Sequence, residues 1–374
     1  MCRLPPRHEG RQPRTGAHTN SPKHRLMKEH TSTDSTRKPI AILTEEAKAK
    51  SFAIAKARTD IDHIIRQSGA FRVIGMGSTS RVGFMRVLKR YYDVYSLRLR
   101  LGRHDRVFFQ FPWIHNNKRE FYRHLFGSGA EVSCVIHDLD SLRSSGKGRD
   151  EELQVLAKCR HIIAHTPAMK RFLVDAGIAA DRIECLYLFS YLTDDPVHTL
   201  APKDPARVIF AGNLTKSRFT DRLGEIAGSG ISFNLYGNKD HELRPAAGVS
   251  YKGKFAPDHP ASIEGNWGLV WDGDSVDTCS GDYGTYLRYN SSHKISLYLS
   301  LGIPVILWEE SSLRDYITRH RLGIAVKSLR DLPGAIGSLP SAQLADIRKH
   351  AADFAPRLRD GSTFGQLIRA AVMP

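Results

Sequence analysis

A chain of 374 residues, 41% hydrophobic and 25% charged, is ordinary globular material and long enough for two domains of usual size. No stretch approaches the ~18 uncharged apolar residues of a membrane span, and the first 40 residues hold no apolar core of signal-peptide length. Five scattered cysteines, an odd number without a C-x-x-C pair, point to reduced thiols in a cytoplasm and away from a zinc site. The net charge is +16; residues 1–40 supply six of it, with nine Lys/Arg against three Asp/Glu. The remaining surplus is compatible with an anionic membrane surface, nucleic acid or a phosphate-bearing substrate.

Residues 1–39 are rich in Arg, Pro, His, Ser and Thr without periodic apolar positions, which predicts a disordered basic tail. Residues 45–67 carry Phe52, Ile54, Ile61, Ile64 and Ile65 among charges, the pattern of a long amphipathic helix. A short apolar run at 71–74 and the glycine loop Gly75–Gly83 follow. Further strands are expected at 106–111, 132–137, 161–165 and 183–186, separated by helices near 118–126, 150–159 and 167–176, the last closed by Gly177. Such alternation predicts an α/β fold with a parallel sheet.

Residues 192–206 have linker composition. Beyond them the alternation restarts, with strands expected at 207–211, 232–236, 249–252, 268–271, 304–307 and 323–326. Helices fit near 219–228, 258–264, 292–301, 311–320 and 328–338. Residues 341–372 read as helical apart from a break around Pro356 and Gly361. Two βα-repeating halves make two Rossmann-like domains.

The richest stretch is Gly268–Leu307, GLVWDGDSVDTCSGDYGTYLRYNSSHKISLYLSLGIPVIL. An apolar strand ends at Trp271, a polar Gly-rich loop follows, and Asn290-Ser291-Ser292-His293-Lys294 opens an amphipathic helix with a serine at its N-cap. A helix start after a parallel strand presents unpaired N–H groups and partial positive charge. Lys294 adds a full charge there, which suits a diphosphate; the same residues also read as a capped, solvated helix start.

Two D-x-D patterns, Asp138-Leu139-Asp140 and Asp272-Gly273-Asp274, could hold a divalent metal, the second in the better context after an apolar strand. The complete βα array before it and the cationic helix start after it favour a metal-free design. His161 and His165 have no third ligand nearby, so zinc is not expected. Loop 75–83 departs from G-x-G-x-x-G spacing and reads equally as a phosphate turn or a plain tight turn. His137-Asp138 closes a strand at its carboxyl end. Asp138, then His137, is a candidate general base; Asp138 could equally cap the following turn.

The Gly268–Leu307 stretch resembles bacterial β-1,6-galactofuranosyltransferases and the glucosyltransferases that extend O-glycans on serine-rich adhesins, through GLVWDG…Y…N-x-x-HK-x-S-x-YL…G-x-PVI. The likeness extends to Ile136–Arg143 (IHDLDSLR), Val107–Pro112 (VFFQFP) and Phe210–Leu214 (FAGNL), and so spans roughly residues 74–339. Ser292 stands where the family pattern has proline. The resemblance implies a GT-B fold, two Rossmann-like domains facing a cleft: an acceptor domain at 40–200, a donor-nucleotide domain at 206–340 and C-terminal helices at 341–374.

It further implies a hexosyltransferase that moves galactofuranose or glucose from a UDP-sugar to a glycan, lipid-linked or glycoprotein acceptor, with neither cofactor nor metal. On that basis Lys294 contacts the donor phosphates, beside His293, Asn290 and Ser291. Tyr236 lies near the uracil or ribose, and Lys216 or Arg218 neutralises the leaving diphosphate. Ser78 and Thr79 face donor phosphate or acceptor. Charge grows on UDP as it departs, and fixed cations with a helix N-terminus can stabilise it without a metal. A homo-oligomer and peripheral contact with an anionic membrane are compatible with this reading. The alternatives are a basic nucleic-acid-binding module, for which no recognition motif is present, and a GT-B-like assembly partner without activity.

Overall fold

The computed structural model describes residues 40–46, 53–67, 71–77, 83–143, 146, 148–200, 206–228 and 230–372. The expected tail at 1–39, and Ser78 and Thr79, lie outside these residues. The first half runs β1 (Ile40–Glu46), α1 (Ala53–Gln67), β2 (Phe71–Gly77), α2 (Gly83–Arg100), β3 (Arg106–Phe111), α3 (Lys118–Phe126) and β4 (Glu131–Ile136). It continues with α4 (Asp140–Arg143), α5 (Arg149–Ala157), β5 (His161–Ala164), α6 (Pro167–Asp175) and β6 (Ile183–Cys185). Its six strands are all parallel, in the order β2-β1-β3-β4-β5-β6. Strands β3 and β4 are buried at every residue but the first, as strands covered on both faces must be.

The second half repeats the scheme with β7 (Ala206–Ala211), β8 (Ile231–Tyr236), β9 (Val249–Gly253), β10 (Trp267–Val270), α7 (Gly281–Tyr286), α8 (His293–Ser300) and β11 (Val305–Trp308). Then come α9 (Arg314–Arg319), β12 (Gly323–Val326), α10 (Leu332–Gly337), α11 (Ser341–Arg359) and α12 (Ser362–Val372). The sheet order is β12-β11-β10-β7-β8-β9, again all parallel. Each half is thus a doubly wound, Rossmann-like layer.

The chain end does not stay with the second sheet. Phe364 and Ile368 of α12 are buried among Ile40, Ile61, Ile64, Phe108 and Ile163, so α12 seals one face of the first sheet. The turn into it rests on Gly361, whose φ of +71° suits glycine and whose Cβ would run into Ile64. The other face of that sheet is packed by α3, with Trp113 stacked on Phe121 at 4.0 Å.

Several expectations change. The segment 45–67 is not one helix: Glu45 and Glu46 end β1, and the helix starts at Ala53. The apolar run Ile40–Leu43 pairs on both sides, with β2 and β3, and so becomes an interior strand. Helices α2 and α7 were not expected. Near 258–264 there is only a 3-10 turn at Pro260–Ser262, and residues 218–225 form a 3-10 helix. Pro356 does not interrupt α11, which runs on to Arg359; the break falls at Gly361. Gly177 follows α6 with φ of +93°, as a helix-terminating glycine should.

Candidate active site

In the second sheet the chain leaves central β7 for β8 on one side and reaches β10 on the other, so a crevice opens between the carboxyl ends of β7 and β10. Gly212 follows the first strand and Asp272 the second. Helix α8 is fixed above them by Tyr298, a fully buried residue whose hydroxyl accepts the Ala211 N–H at 2.8 Å and whose ring lies over Gly268. A Cβ at Gly268 would overlap that ring. Lys294, in the first turn of α8, therefore reaches down between the strand ends.

Its Nζ donates to both oxygens of Asp272, at 2.9 and 2.8 Å. Asp272 also accepts from the Ser217 hydroxyl at 3.2 Å. The ammonium lies 5.1 Å from the Phe210 ring centre, and a Cβ on Gly212 would come within 2.9 Å of the lysine Cε. At 15% exposure the Lys294 side chain is mostly buried, not the freely solvated cation of a simple helix start. Asp272 belongs to the better of the two D-x-D patterns, yet it serves as the lysine's counter-ion. Among the described residues no three His, Cys, Asp or Glu side chains are grouped to hold a metal.

The loop ahead of α8 reaches across to the first half. Ser291 N–H donates to His165 Nδ1 at 3.1 Å, and His165 Nε2 lies 2.8 Å from the Ile136 carbonyl oxygen. That pair of partners makes the ring a neutral Nε2–H tautomer, and burial lowers its pKa to about 4. The Thr166 hydroxyl donates to Tyr289 O at 2.6 Å, and Leu139 N–H to the Tyr286 hydroxyl at 3.0 Å. Residues after β4 and β5 thus meet residues after β10, and the carboxyl edges of the two sheets face each other. Ser292 occupies the N-cap of α8 without a side-chain capping bond. Asn290 Oδ1 and Ser291 Oγ are buried polar atoms with no protein partner. His293 packs against Phe189 and Tyr191, and burial lowers its pKa to about 3.

On the facing wall, Asp138 pairs with Arg143 at 3.1 Å. Burial raises its pKa above the ordinary carboxylate value, against the opposing pull of Arg143. The Arg143 guanidinium lies 5.9 Å from the Tyr283 ring centre, and Lys216 of the second half lies 4.6 Å from the same ring. Tyr283 of α7 therefore bridges the two cations across the cleft. The N-terminus of α4 is capped by Glu152, which accepts the N–H groups of Asp140 and Ser141 at 2.7 and 3.1 Å. His137 is buried instead, with Nε2 2.6 Å from Gln110 Oε1 and its ring stacked on Phe189. Burial first, then the charge of Arg58, holds its pKa well below the usual value.

Among the expected site residues, Lys294, His293, Asn290 and Ser291 gather at the start of α8, and Lys216 and Asp138 approach through Tyr283 and Arg143. Arg218 pairs with Asp240 at 3.3 Å. Tyr236 ends β8 and is 4% exposed, its hydroxyl accepting the Glu264 N–H at 2.9 Å. Sequence reasoning missed Asp272 as the partner of Lys294, and gave Arg143 and Tyr283 no role in the site. For Asp272 the only signal was its place just after an apolar strand.

Two doubly wound parallel layers with facing carboxyl edges, sealed by a C-terminal helix that returns to the first layer, define the GT-B class of glycosyltransferase. Solved structures of that fold superpose along most of this chain. Anabaena HepE in complex with UDP-glucose matches with a TM-score of 0.55 and 13% identity, over 88% of this chain and 99% of that one. The UDP-forming trehalose-phosphate synthase of Burkholderia vietnamiensis matches with a TM-score of 0.57 and 10% identity, over 90% and 99%. Residues 40–186 match the N-terminal domain and 208–371 the C-terminal domain of the Glucosyltransferase 3-like family, and the chain belongs to that family. It is 34% identical over 243 residues to the β-1,6-galactofuranosyltransferase WbbI of Escherichia coli K12, covering 64% of this chain and 70% of that protein. It is 25% identical over 314 residues to Glucosyltransferase 3 of Streptococcus gordonii, covering 78% and 90%. The protein is a glycosyltransferase.

Proposed function

We propose that this glycosyltransferase moves a hexose, galactofuranose or glucose, from a UDP-sugar to a glycan, lipid-linked or glycoprotein acceptor without a metal. The observation that carries the reading is Lys294, seated in the first turn of α8 above the β7/β10 crevice and already neutralising Asp272. Two of the three ammonium N–H groups are taken by that carboxylate, which leaves one for a phosphate oxygen. The start of α8 adds unpaired N–H groups, and Lys216 lies within reach across Tyr283. The neighbours' UDP complexes support a UDP donor on a shared fold.

In the transfer, the bond from the anomeric carbon to the β-phosphate oxygen breaks and its electron pair leaves with UDP. The acceptor oxygen bonds to the same carbon, and its proton passes to Asp138. A carboxylate whose pKa is raised by burial is a better base near neutrality than an ordinary one. Lys294, Lys216 and the α8 N-terminus then stabilise charge that grows on the leaving diphosphate. A screen of UDP-sugars with the purified chain, scoring UDP release with and without EDTA, tests this. Turnover of a UDP-hexose that survives EDTA is the expected result; no UDP-sugar turned over, or activity abolished by EDTA, would overturn it.

A further inference from the structure

Eight of the twelve large hydrophobic residues exposed among the described residues lie on one element, α2. Phe84, Leu88, Tyr91, Tyr92, Tyr95 and Leu99 are each 43–91% exposed. With about 3.6 residues per turn their spacing keeps them on one side of the helix. The opposite side holds Asp93, Val94 and Leu97, buried against the first sheet. The core-facing stripe of α2 is therefore already occupied, and the aromatic face is a second apolar face turned to solvent. A contiguous face of this kind marks an interaction surface.

Its surroundings are basic. Helix α2 carries five Lys/Arg against Asp93 alone. Asp93 is buried, at 2.6 Å from Lys89 and 3.3 Å from Arg100, so both cations are tethered along one flank of the apolar face. Arg98 stands on the other flank. Helix α3, which packs beside α2 through Tyr95 and His124, adds Lys118, Arg119 and Arg123 against Glu120. Aromatic and leucine side chains outward with Lys/Arg along both edges is the composition of a helix lying in a bilayer interface. No helix among the described residues is long and apolar enough to cross a membrane.

We infer that α2 docks on an anionic lipid bilayer, its aromatic face at the headgroup boundary and its flanking cations on lipid phosphates. Charge selects this occupant over two others. The segment 1–39 of the same chain carries nine Lys/Arg against three Asp/Glu and would meet a surface of its own sign. A second copy would set the same basic flanks against each other. An anionic bilayer is complementary to both the cations and the apolar face.

The test is co-sedimentation of the full chain with phosphatidylcholine vesicles, with and without phosphatidylglycerol. It compares wild type with Tyr92→Glu/Leu99→Glu, two exposed positions whose replacement leaves the core alone. Wild type should bind the phosphatidylglycerol vesicles more tightly, and the variant should bind them roughly tenfold more weakly or worse at an unchanged melting temperature. A chain lacking residues 1–38 should keep the α2-dependent part. Equal binding by wild type and variant overturns the inference, as does binding that disappears wholly with residues 1–38. Self-association without lipid that the variant abolishes would assign the face to a second copy and overturn it equally.

Discussion

Lys294 is held in a two-pronged ion pair before any donor arrives, and this changes what its removal does. Lys294→Ala should lower transfer about 10- to 150-fold, the loss of a charge-assisted contact of roughly 1.5–3 kcal/mol, in turnover as well as in UDP affinity. An exposed cleft lysine could be removed at little cost to stability, but this side chain is mostly buried and its loss strands Asp272 with only the Ser217 hydroxyl. Thermal unfolding should therefore show a loss of about 1–3 kcal/mol, relieved in part by adding Asp272→Asn. Unchanged stability in the single variant would mean that the pair is not coupled.

Asp62 offers a pH-dependent counterpart. Its carboxylate accepts from Gln110 Nε2 at 2.7 Å, on the same glutamine whose Oε1 meets His137, and burial raises its pKa from 3.8 to about 7. A raised folded-state pKa means stability that is fully present below about pH 4 and lost as pH rises through 7. Asp62→Asn keeps the acceptor and removes the titration. The difference in unfolding free energy, variant minus wild type, should thus grow by about 2–4 kcal/mol from pH 4 to pH 8. Taking the difference isolates Asp62 from His137, His165 and His293, whose lowered pKa values make stability rise with pH. A flat difference would show that the carboxyl is not buried as described.

At the scale of elements, the position of α8 depends on the absence of a side chain at Gly268. Gly268→Ala would press a methyl group into the Tyr298 ring, whose hydroxyl ties α8 to the end of β7. Overpacking of this kind costs about 1–3 kcal/mol. Because it shifts the helix that carries Lys294, UDP affinity should fall with it, measured by titration calorimetry alongside thermal unfolding. Wild-type affinity in the variant would separate α8 from donor binding. The repeating βα pattern was readable wherever an apolar strand stood between two polar helices, as with β3, α3 and β4. It failed at β1, whose short apolar run Ile40–Leu43 is followed within the same strand by Glu45 and Glu46, and at α2, whose two apolar faces blur any single helical stripe. Helix α7 was hidden by its glycines, Gly281 and Gly284, which lower helix propensity; of the two, Gly284 is packed so closely on the Cys279 and Asp272 backbone that a Cβ would not fit.

For the molecule as a whole, the last helix is a structural part of the first half. Ending the chain after Asp360 would remove Phe364 and Ile368 and expose Ile61, Ile64 and Phe108. Losing two fully buried large side chains and uncovering their partners should cost more than about 4 kcal/mol, enough to unfold or aggregate the first half. Soluble yield and the melting curve of the truncated chain check this; a stable truncated protein would mean that α12 is an appendage. The same halves meet again at Lys56 of α1, which pairs with Asp60 and with Asp258 of the second half at 3.4 Å.

The sequence by itself determined the two parallel α/β layers and a cationic helix start at Asn290–Lys294, because apolar periodicity and helix-start chemistry are written in neighbouring residues. It did not determine how deeply each strand-end side chain is buried, as with Tyr236, which is 4% exposed and tied to the Glu264 N–H. Nor did it tell that Asp272 is the counter-ion of Lys294, or that Arg143 and Lys216 share Tyr283. Those pairings join residues 22 to about 140 positions apart along the chain, close only after two sheets fold and their edges meet. The return of α12 to the first sheet belongs with them: its helical character was readable, and only the tertiary structure decided which of two sheets it would cover.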